Sequence, residues 1–391
     1  MSTTEGAFIT PEVARWARER LGETLESTAK RISVKPQRLA SWEEGTDYPN
    51  LRQARNLAKK LYIPFGYLFL SSPPEESSSI PLPDFRTISP HDKSEASPEF
   101  MDLFHDVLFK QEWYREYLRQ EGSPILEYVG RFSVESPIDD VSADISETID
   151  VNNTLRRDSV SWADFLRRMI LRCEGVGVLV MKSGVVANNN KRKLSVEEFR
   201  GFAISDSLAP VVFINSTDAL SAQIFTLVHE LAHIWIGMGG TSNPNLREKS
   251  SLQTNPVERF CNMVAAEVLV PRNAFLEHWQ RNSSLNDNLQ QLAAYFRVST
   301  MVVLRRAYDL NRIGTDEYLR RFDQEEVRET KHGTDGGNFY AIVRSRNSRA
   351  LTEAVVQGAV GGTILFRDAA RLLNVKVPTV EKLYAKMVER A

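Results

Sequence analysis

Three ionisable residues interrupt a largely apolar stretch, IFTLVHELAHIWIG at residues 224–237. The apolar residues predict a helix on which His229 and His233 are four positions apart. Because each residue turns the helix by about 100°, four positions bring a side chain back to within about 40° of its starting direction. Both imidazoles therefore leave one face and can bind one tetrahedral zinc ion, while Glu230 can reach a metal-bound water without binding the metal itself.

A zinc site of this kind needs a third protein ligand, and the downstream candidates are Glu248, Glu258 and Glu267. Glu258 opens the segment ERFCNMVAAEVLVP, whose apolar residues predict a second buried helix that ends at Pro271. Glu267 is nine positions further on and would lie half a turn away from Glu258. We therefore favour Glu258, with Asn262 one turn later as a candidate hydrogen-bond partner.

Other side chains near this site stay open alternatives. Cys261 is three residues from Glu258 and could approach a metal, although a lone cysteine in an apolar helix is usually a packing residue. Hydrolysis would also need a donor that stabilises the oxyanion. His278 and Tyr295 are candidates for that donor, and the sequence does not choose between them.

The two segments together are similar to the ImmA/IrrE family of zinc metallopeptidases. HELAHIWIG carries the first family motif, and the second, ExxANxFAAxLLMP, is matched at Glu258, Asn262, Ala265, Ala266, Leu269 and Pro271. Cys261 and Val264 depart from that motif as packing changes. The similarity, from about residue 81 to about residue 309, implies a gluzincin-like fold, zinc bound by His229, His233 and Glu258, and Glu230 as the catalytic base.

A second motif lies near the start of the chain. Residues 21–45, LGETLESTAKRISVKPQRLASWEEG, predict two short helices with a turn at Ser33 and a stop at Gly45, and amphipathic helices follow from Leu51 to Leu70. This module resembles the Xre (Cro/C1-type) helix-turn-helix family. The matching residues are Ala29, Val34, Trp42, Glu43, Gly45 and Pro49.

The resemblance implies that the module binds operator DNA through a recognition helix from about residue 35 to 44. Lys35, Gln37, Arg38 and Ser41 would face the DNA, where arginine can bind guanine and glutamine adenine in the major groove. Three residues depart from the family pattern at phosphate-binding or turn positions: Leu25, Ser33 and Glu44. These changes weaken phosphate anchoring, so a module that binds protein instead of DNA stays an alternative.

Composition limits the remaining choices. The 49 basic and 51 acidic residues exclude a globally basic nucleic-acid coat protein, and the first 70 residues, with 11 basic and 8 acidic side chains, leave only a local DNA surface. The two cysteines cannot form a disulfide framework. We see neither a signal peptide nor a membrane span, so we expect a soluble, cytoplasmic protein without membrane contact.

The chain is expected to divide into four parts. They are a helix-turn-helix domain (1–70), a linker with eight serines and six prolines (71–100), a zinc metallopeptidase-like domain (101–313) and a small helical C-terminal domain of unknown role (314–391). Within the third part we predict a helix over 101–122, a solvated loop or edge over the acidic segment 133–150, a helix over 161–173 and strands over 176–181, 199–204 and 210–215.

Three segments share an alanine, an apolar pair and a valine-centred turn: 29–42, 294–307 and 370–384. Each resembles a helix-turn-helix, although helical hairpins that pack against a core are the favoured interpretation of the last two. Together these patterns predict a mostly helical α+β protein: an all-α head, a gluzincin-like body with a small sheet and an HExxH helix, and a small helical C-terminal region.

The predicted function is a DNA-binding transcriptional regulator with a Zn²⁺-dependent endopeptidase domain. Its substrate would be a repressor or another partner protein encoded nearby, in a stress, mobile-element or toxin–antitoxin circuit. Xre-like heads often pair, so we also expect a homodimer. The alternative is a non-enzymatic regulator or antitoxin that uses a structural zinc and binds a partner protein such as a toxin.

Overall fold

The computed structural model describes residues 6–74, 96–242, 255–329 and 339–389. The chain divides into two compact units, residues 1–79 and 80–391. Most of the predicted linker, residues 75–95, lies outside the described residues. Within the part of the chain that is described, no helix combines the length and the apolar character needed to cross a bilayer.

The first unit is all-helical, as its sequence predicts. Its helices are α1 (Pro11–Glu19), α2 (Leu25–Ile32), α3 (Pro36–Glu44), α4 (Leu51–Lys60) and a 3-10 helix (Phe65–Phe69). Small and apolar side chains from all of them form one core, in which Ala29, Leu39 and Trp42 are fully buried. The turn between α2 and α3 places Ser33 at a φ of 60°, and Gly45 ends α3 at a φ of 72°.

A buried ion pair joins α1 to α3. The Arg18 guanidinium donates two hydrogen bonds of 2.8 Å to the two carboxylate oxygens of Glu43, and a third of 2.9 Å to the Glu23 carbonyl oxygen. The Glu43 side chain is only 4% exposed. The pair therefore fixes the position of α3 against the rest of the unit.

The second unit consists of helices around a small sheet. Its first helices are α5 (Pro98–Gln120), α6 (Ile138–Thr148), α7 (Asn153–Asp158) and α8 (Trp162–Gly175). After three strands come α9 (Leu220–Trp235), α10 (Pro256–Leu269), α11 (Arg272–His278), α12 (Leu285–Phe296), α13 (Thr300–Asp309) and α14 (Thr315–Glu329). The last helices are α15 (Phe339–Asn347), α16 (Arg349–Val360), α17 (Phe366–Leu372) and α18 (Val377–Val388).

In the described part of the chain the sheet has four strands, β1 (Leu179–Ser183), β2 (Gly201–Ile204), β3 (Val211–Asn215) and β4 (Gly240–Ser242), in the order β1-β3-β2-β4. β1 and β3 are parallel, whereas β2 is antiparallel to both of its neighbours. Alternate residues of β3 face opposite cores: Val212 and Ile214 pack with α8, α9 and α10, and Val211 and Phe213 pack with α5 and with α15–α18. Both faces of the sheet are thus covered by helices.

The structure corrects one prediction and adds one strand. The acidic segment 133–150 is not a solvated loop, because most of it forms α6, whose Val141 and Ile145 are fully buried while Asp139, Asp140 and Glu147 are exposed. β4, directly after α9, was not predicted, because three residues are too few to show a sequence period. The fold class is the mostly helical α+β arrangement that the sequence predicts.

Candidate functional site

α9 carries the two histidines of the HExxH motif at the centre of the second unit. The helix packs against α8, α10 and the sheet, and every side chain from Gln223 to Trp235 is buried. As the spacing predicts, His229 and His233 lie side by side, with ring centroids 4.9 Å apart. Their Nε2 atoms approach to 3.2 Å.

α10 brings a carboxylate to the same point. Glu258 is in the first turn of α10, and its two oxygens lie 3.2 Å from Nε2 of His229 and 3.0 Å from Nε2 of His233. The donor atoms of all three residues lie within 4.8 Å of one another. Among the described residues, no other group of histidine, cysteine or acidic side chains converges in this way.

The hydrogen bonding of this group fits a cation. Nδ1 of His233 lies 3.1 Å from the carbonyl oxygen of Met238, which can only accept, so Nδ1 carries the hydrogen and Nε2 carries the lone pair. That lone pair faces an oxygen of Glu258 and the Nε2 atom of His229. Electron pairs that converge in a buried space are costly unless a proton or a bound cation lies between them.

The charges of the group agree with this interpretation. Burial raises the pKa of the Glu258 carboxyl, but His229 and His233 outweigh burial and lower that pKa to about 2. Burial also lowers the pKa of His233, which keeps its imidazole neutral as metal binding requires. For His229 burial is opposed chiefly by Glu258, with smaller contributions from Glu230 and Asn262, and the pKa is raised. His229 and Glu258 thus stabilise each other as an ion pair, and a metal ion would take the place of the proton on His229.

Glu230 is fully buried between α9 and the sheet. A Cβ atom on Gly201 of β2 would lie 2.9 Å from Oε1 of Glu230, 2.5 Å from Cγ2 of Thr226 and 2.9 Å from the Phe213 carbonyl oxygen. The backbone of β2 can thus lie against the Glu230 side chain only because residue 201 has no side chain. The sequence motif did not reveal this role of Gly201, since a single glycine at the start of a strand has no distinctive pattern.

The other candidate ligands lie elsewhere. Glu267 pairs with Arg306 and accepts a hydrogen bond of 2.9 Å from the backbone N–H of Arg272. Cys261 is buried but is not among the converging donors, and burial raises the pKa of its thiol. Glu248 lies outside the described residues.

The two candidate oxyanion donors contact each other. The rings of His278 and Tyr295 are 4.2 Å apart, and Nδ1 of His278 lies 2.9 Å from the carbonyl oxygen of Ala274. None of the described contacts of this pair is with His229, His233 or Glu258.

A contact that the sequence analysis missed supports the end of α9. The indole N–H of Trp235 donates a hydrogen bond of 2.6 Å to Asp144 on α6, and Tyr128 stacks on the indole ring at 4.4 Å. Arg131 pairs with the other oxygen of Asp144 at 2.6 Å. Through Asp144, the acidic segment thus supports the helix that carries the histidines. The only sequence signal for this role is the helical spacing of the apolar residues in α6.

The candidate DNA-contacting residues lie at the start of α3. Lys35 is its N-cap, and Lys35, Gln37 and Arg38 are exposed. The Arg38 guanidinium lies 5.8 Å from the ring centre of Trp42 and 3.5 Å from the Asp47 carboxylate. Ser41 is half-buried, and its hydroxyl donates to the Arg38 carbonyl oxygen at 2.8 Å.

Comparisons with known proteins agree with both motifs. Residues 173–308 match the family model of the IrrE N-terminal-like domain, of peptidase family M78, and residues 15–68 match a helix-turn-helix family. Residues 347–386 match a domain of unknown function (DUF8813). No curated protein sequence matches the chain. The chain therefore carries an Xre-type helix-turn-helix domain followed by a domain of the ImmA/IrrE family, in the order that its sequence motifs predict.

Proposed function

We propose that the protein is a DNA-binding transcriptional regulator whose second unit is a zinc-dependent endopeptidase. The observation that carries this proposal is the convergence of His229, His233 and Glu258 within 4.8 Å of one another. Two histidines and one glutamate are the donor set of catalytic zinc sites, which keep a fourth position for solvent, whereas structural sites use four protein ligands. Among the described residues, only these three donors converge.

The remaining residues of the site have roles that follow from their positions. A zinc ion held by the three ligands would polarise a peptide carbonyl and lower the pKa of a nearby water molecule. Glu230, next to His229 in the sequence, would accept a proton from that water and pass it to the amine of the leaving product. Gly201 leaves room for the Glu230 carboxylate beside β2, where a larger side chain would displace it.

The substrate we propose is a repressor or another partner protein encoded nearby. A regulator that combines a DNA-binding head with a peptidase can change transcription by removing such a partner in a stress, mobile-element or toxin–antitoxin circuit. In the head, the exposed start of α3 supports contact with operator DNA through Lys35, Gln37 and Arg38.

Burial of the site favours a second candidate function. His229, Glu230 and His233 are 0% exposed and Glu258 is 4% exposed, so these side chains are closed to solvent in this conformation. A non-enzymatic regulator with a structural zinc would need no access. An endopeptidase would need an opening step before cleavage, which fits an enzyme that acts on few substrates.

Replacement of Glu230 by glutamine separates the two functions. The E230Q protein should still contain one zinc ion per chain and should no longer cleave any product of the neighbouring genes. The matched control is Glu277→Gln, which changes an exposed glutamate on α11 and should leave cleavage intact. If E230Q leaves regulation in cells unchanged, the non-enzymatic function is correct.

A further inference from the structure

The three segments that share a valine-centred turn also share its backbone geometry. The residue before each valine has a left-handed backbone, with φ of 60° at Ser33, 58° at Arg297 and 54° at Asn374. In each case the valine N–H donates to the carbonyl oxygen of an alanine five residues earlier, at 3.0, 3.1 and 2.9 Å. The residues of these hydrogen bonds are Val34 and Ala29, Val298 and Ala293, and Val375 and Ala370.

For the last segment the likeness extends over three helices. Each residue of α1–α3 has its counterpart in α16–α18 at a constant distance along the chain, without an insertion or a deletion, so that Ala29 corresponds to Ala370 and Trp42 to Leu383. Five apolar positions that are buried in the head have buried counterparts in α16–α18. The pairs are Ala14 and Val355, Ala29 and Ala370, Ile32 and Leu373, Leu39 and Val380, and Trp42 and Leu383.

The middle segment shows that the turn alone does not make a DNA-binding surface. There the counterparts of Gln37 and Arg38 are Met301 and Val302, which are 7% and 2% exposed because α13 packs into the core around α9. α18 differs, since its only fully buried residues are Val380 and Leu383. The side of α18 that corresponds to the DNA-contacting side of α3 is open.

This open side of α18 carries basic residues at positions suited to DNA. Lys376 is the N-cap of α18, as Lys35 is the N-cap of α3, and Lys382 is the counterpart of Ser41. Both lysines are exposed. An exposed acid, Glu381, lies beside them and would weaken phosphate binding. An exposed lysine at the N-cap of a second helix and another in its second turn, after a turn of this geometry, suit the phosphates that border a major groove.

We propose that α16–α18 form a second helix-turn-helix unit and that α18 binds duplex DNA in the major groove. The protein would then contact DNA through two surfaces, one in each compact unit. This inference does not depend on the metal site. It also gives a role to residues 347–386, whose family match states none.

The test uses the full chain and a fluorescein-labelled duplex of random sequence, about 30 base pairs long, with anisotropy measured over a range of salt concentrations. The double variant K376E/K382E is compared with K191E/K193E, which makes the same charge change at exposed lysines elsewhere in the second unit. Each double variant is prepared in two full-length proteins, one with the wild-type head and one with the K35E/R38E substitutions in the head. The K35E/R38E variant without further changes tests whether the head binds DNA. A failure of the proposed regulator function can therefore be distinguished from a failure of the proposal for α18.

We expect K376E/K382E to weaken binding about tenfold or more in both backgrounds and to lower the salt slope by about 2, as the loss of two phosphate contacts requires. Glu381→Gln should strengthen binding. K191E/K193E should do neither. If K376E/K382E matches K191E/K193E in both backgrounds, or impairs only binding to a partner protein, the proposal is wrong.

A direct measurement of position guards against indirect effects. Both native cysteines are buried, so a cysteine introduced at Thr379 can be labelled selectively with an iron–EDTA reagent that cuts nearby DNA. The labelled T379C protein in the K35E/R38E background should cut the bound duplex, and labelled K191C should not. Equal cutting by both, or none by T379C, would overturn the assignment of α18 to the groove.

Discussion

Gly201 and Glu230 approach so closely that an added methyl group on Gly201 would lie 2.9 Å from a carboxylate oxygen of Glu230. The two residues belong to different elements, β2 and α9, and the sheet backbone therefore determines where the proposed base can sit.

Gly201→Ala should displace Glu230 and abolish most cleavage while zinc content stays near one ion per chain. Overpacking of this kind costs about 1–3 kcal/mol of folding stability, and a shift of about 1 Å in a catalytic group can lower the rate about a hundredfold. Gly175→Ala is the control, because a Cβ there meets nothing within 4 Å. Wild-type cleavage by G201A would show that the contact does not position Glu230.

Loss of the buried ion pair in the head should unfold its first three helices locally. Glu43→Ala leaves the Arg18 guanidinium, whose side chain is 11% exposed, without its bidentate partner. Such a loss costs about 3–5 kcal/mol. Hydrogen–deuterium exchange of peptides from α1 and α3 in the full chain should accelerate strongly, whereas the exposed change Glu44→Ala should have little effect. Unchanged exchange in E43A would contradict the structural role of the pair.

Arg38→Ala should weaken binding to an operator selected from a random library by about 1–3 kcal/mol and relax the preference at one base pair. Arg38 is half exposed, and its ion pair with Asp47 is at the surface, so folding should be unaffected. Lys193→Ala, an exposed change in the second unit, is the control. Equal affinities of R38A and wild type would favour a head that binds protein.

Glu174 gives a prediction for pH. Its carboxylate accepts hydrogen bonds from Ser348 and, at 2.7 Å, from the backbone N–H of Arg349, but burial dominates and raises its pKa. The folded state therefore holds the proton more tightly than the unfolded state, so stability falls as pH rises from the unfolded pKa through the folded one. The variant E174Q should lack that decline in urea denaturation, and its stability relative to wild type should increase with pH.

The exposed change Glu121→Gln is the control for the pH series. If the stability difference between E174Q and wild type does not vary with pH, Glu174 does not titrate in the predicted sense.

Residues with a fixed spacing on one helix were predictable from the sequence. The four-residue interval between His229 and His233, and the place of Glu258 at the start of a second apolar helix, predict the juxtaposition that the structure shows. The turn at Ser33 and the stop at Gly45 were likewise visible, because local backbone preferences determine them.

Features that depend on distant backbone were not predictable. The Met238 carbonyl that orients His233, and the strand that brings Gly201 against Glu230, carry no side-chain pattern. In α6 the acidic residues concealed the spacing of Val141 and Ile145. The resemblance of residues 370–384 to the head was recognisable in the sequence. Only the burial of individual residues showed that α18 has an exposed side and that the corresponding side of α13 is buried.

Zinc K-edge X-ray absorption of the purified protein tests the proposed metal centre most directly. We expect one zinc ion per chain in a four-coordinate shell of two imidazole nitrogens and two oxygens, one from Glu258 and one from solvent, at about 2.0–2.2 Å. A sulfur ligand at about 2.3 Å, a shell of four protein ligands, or no bound zinc would contradict the proposed peptidase.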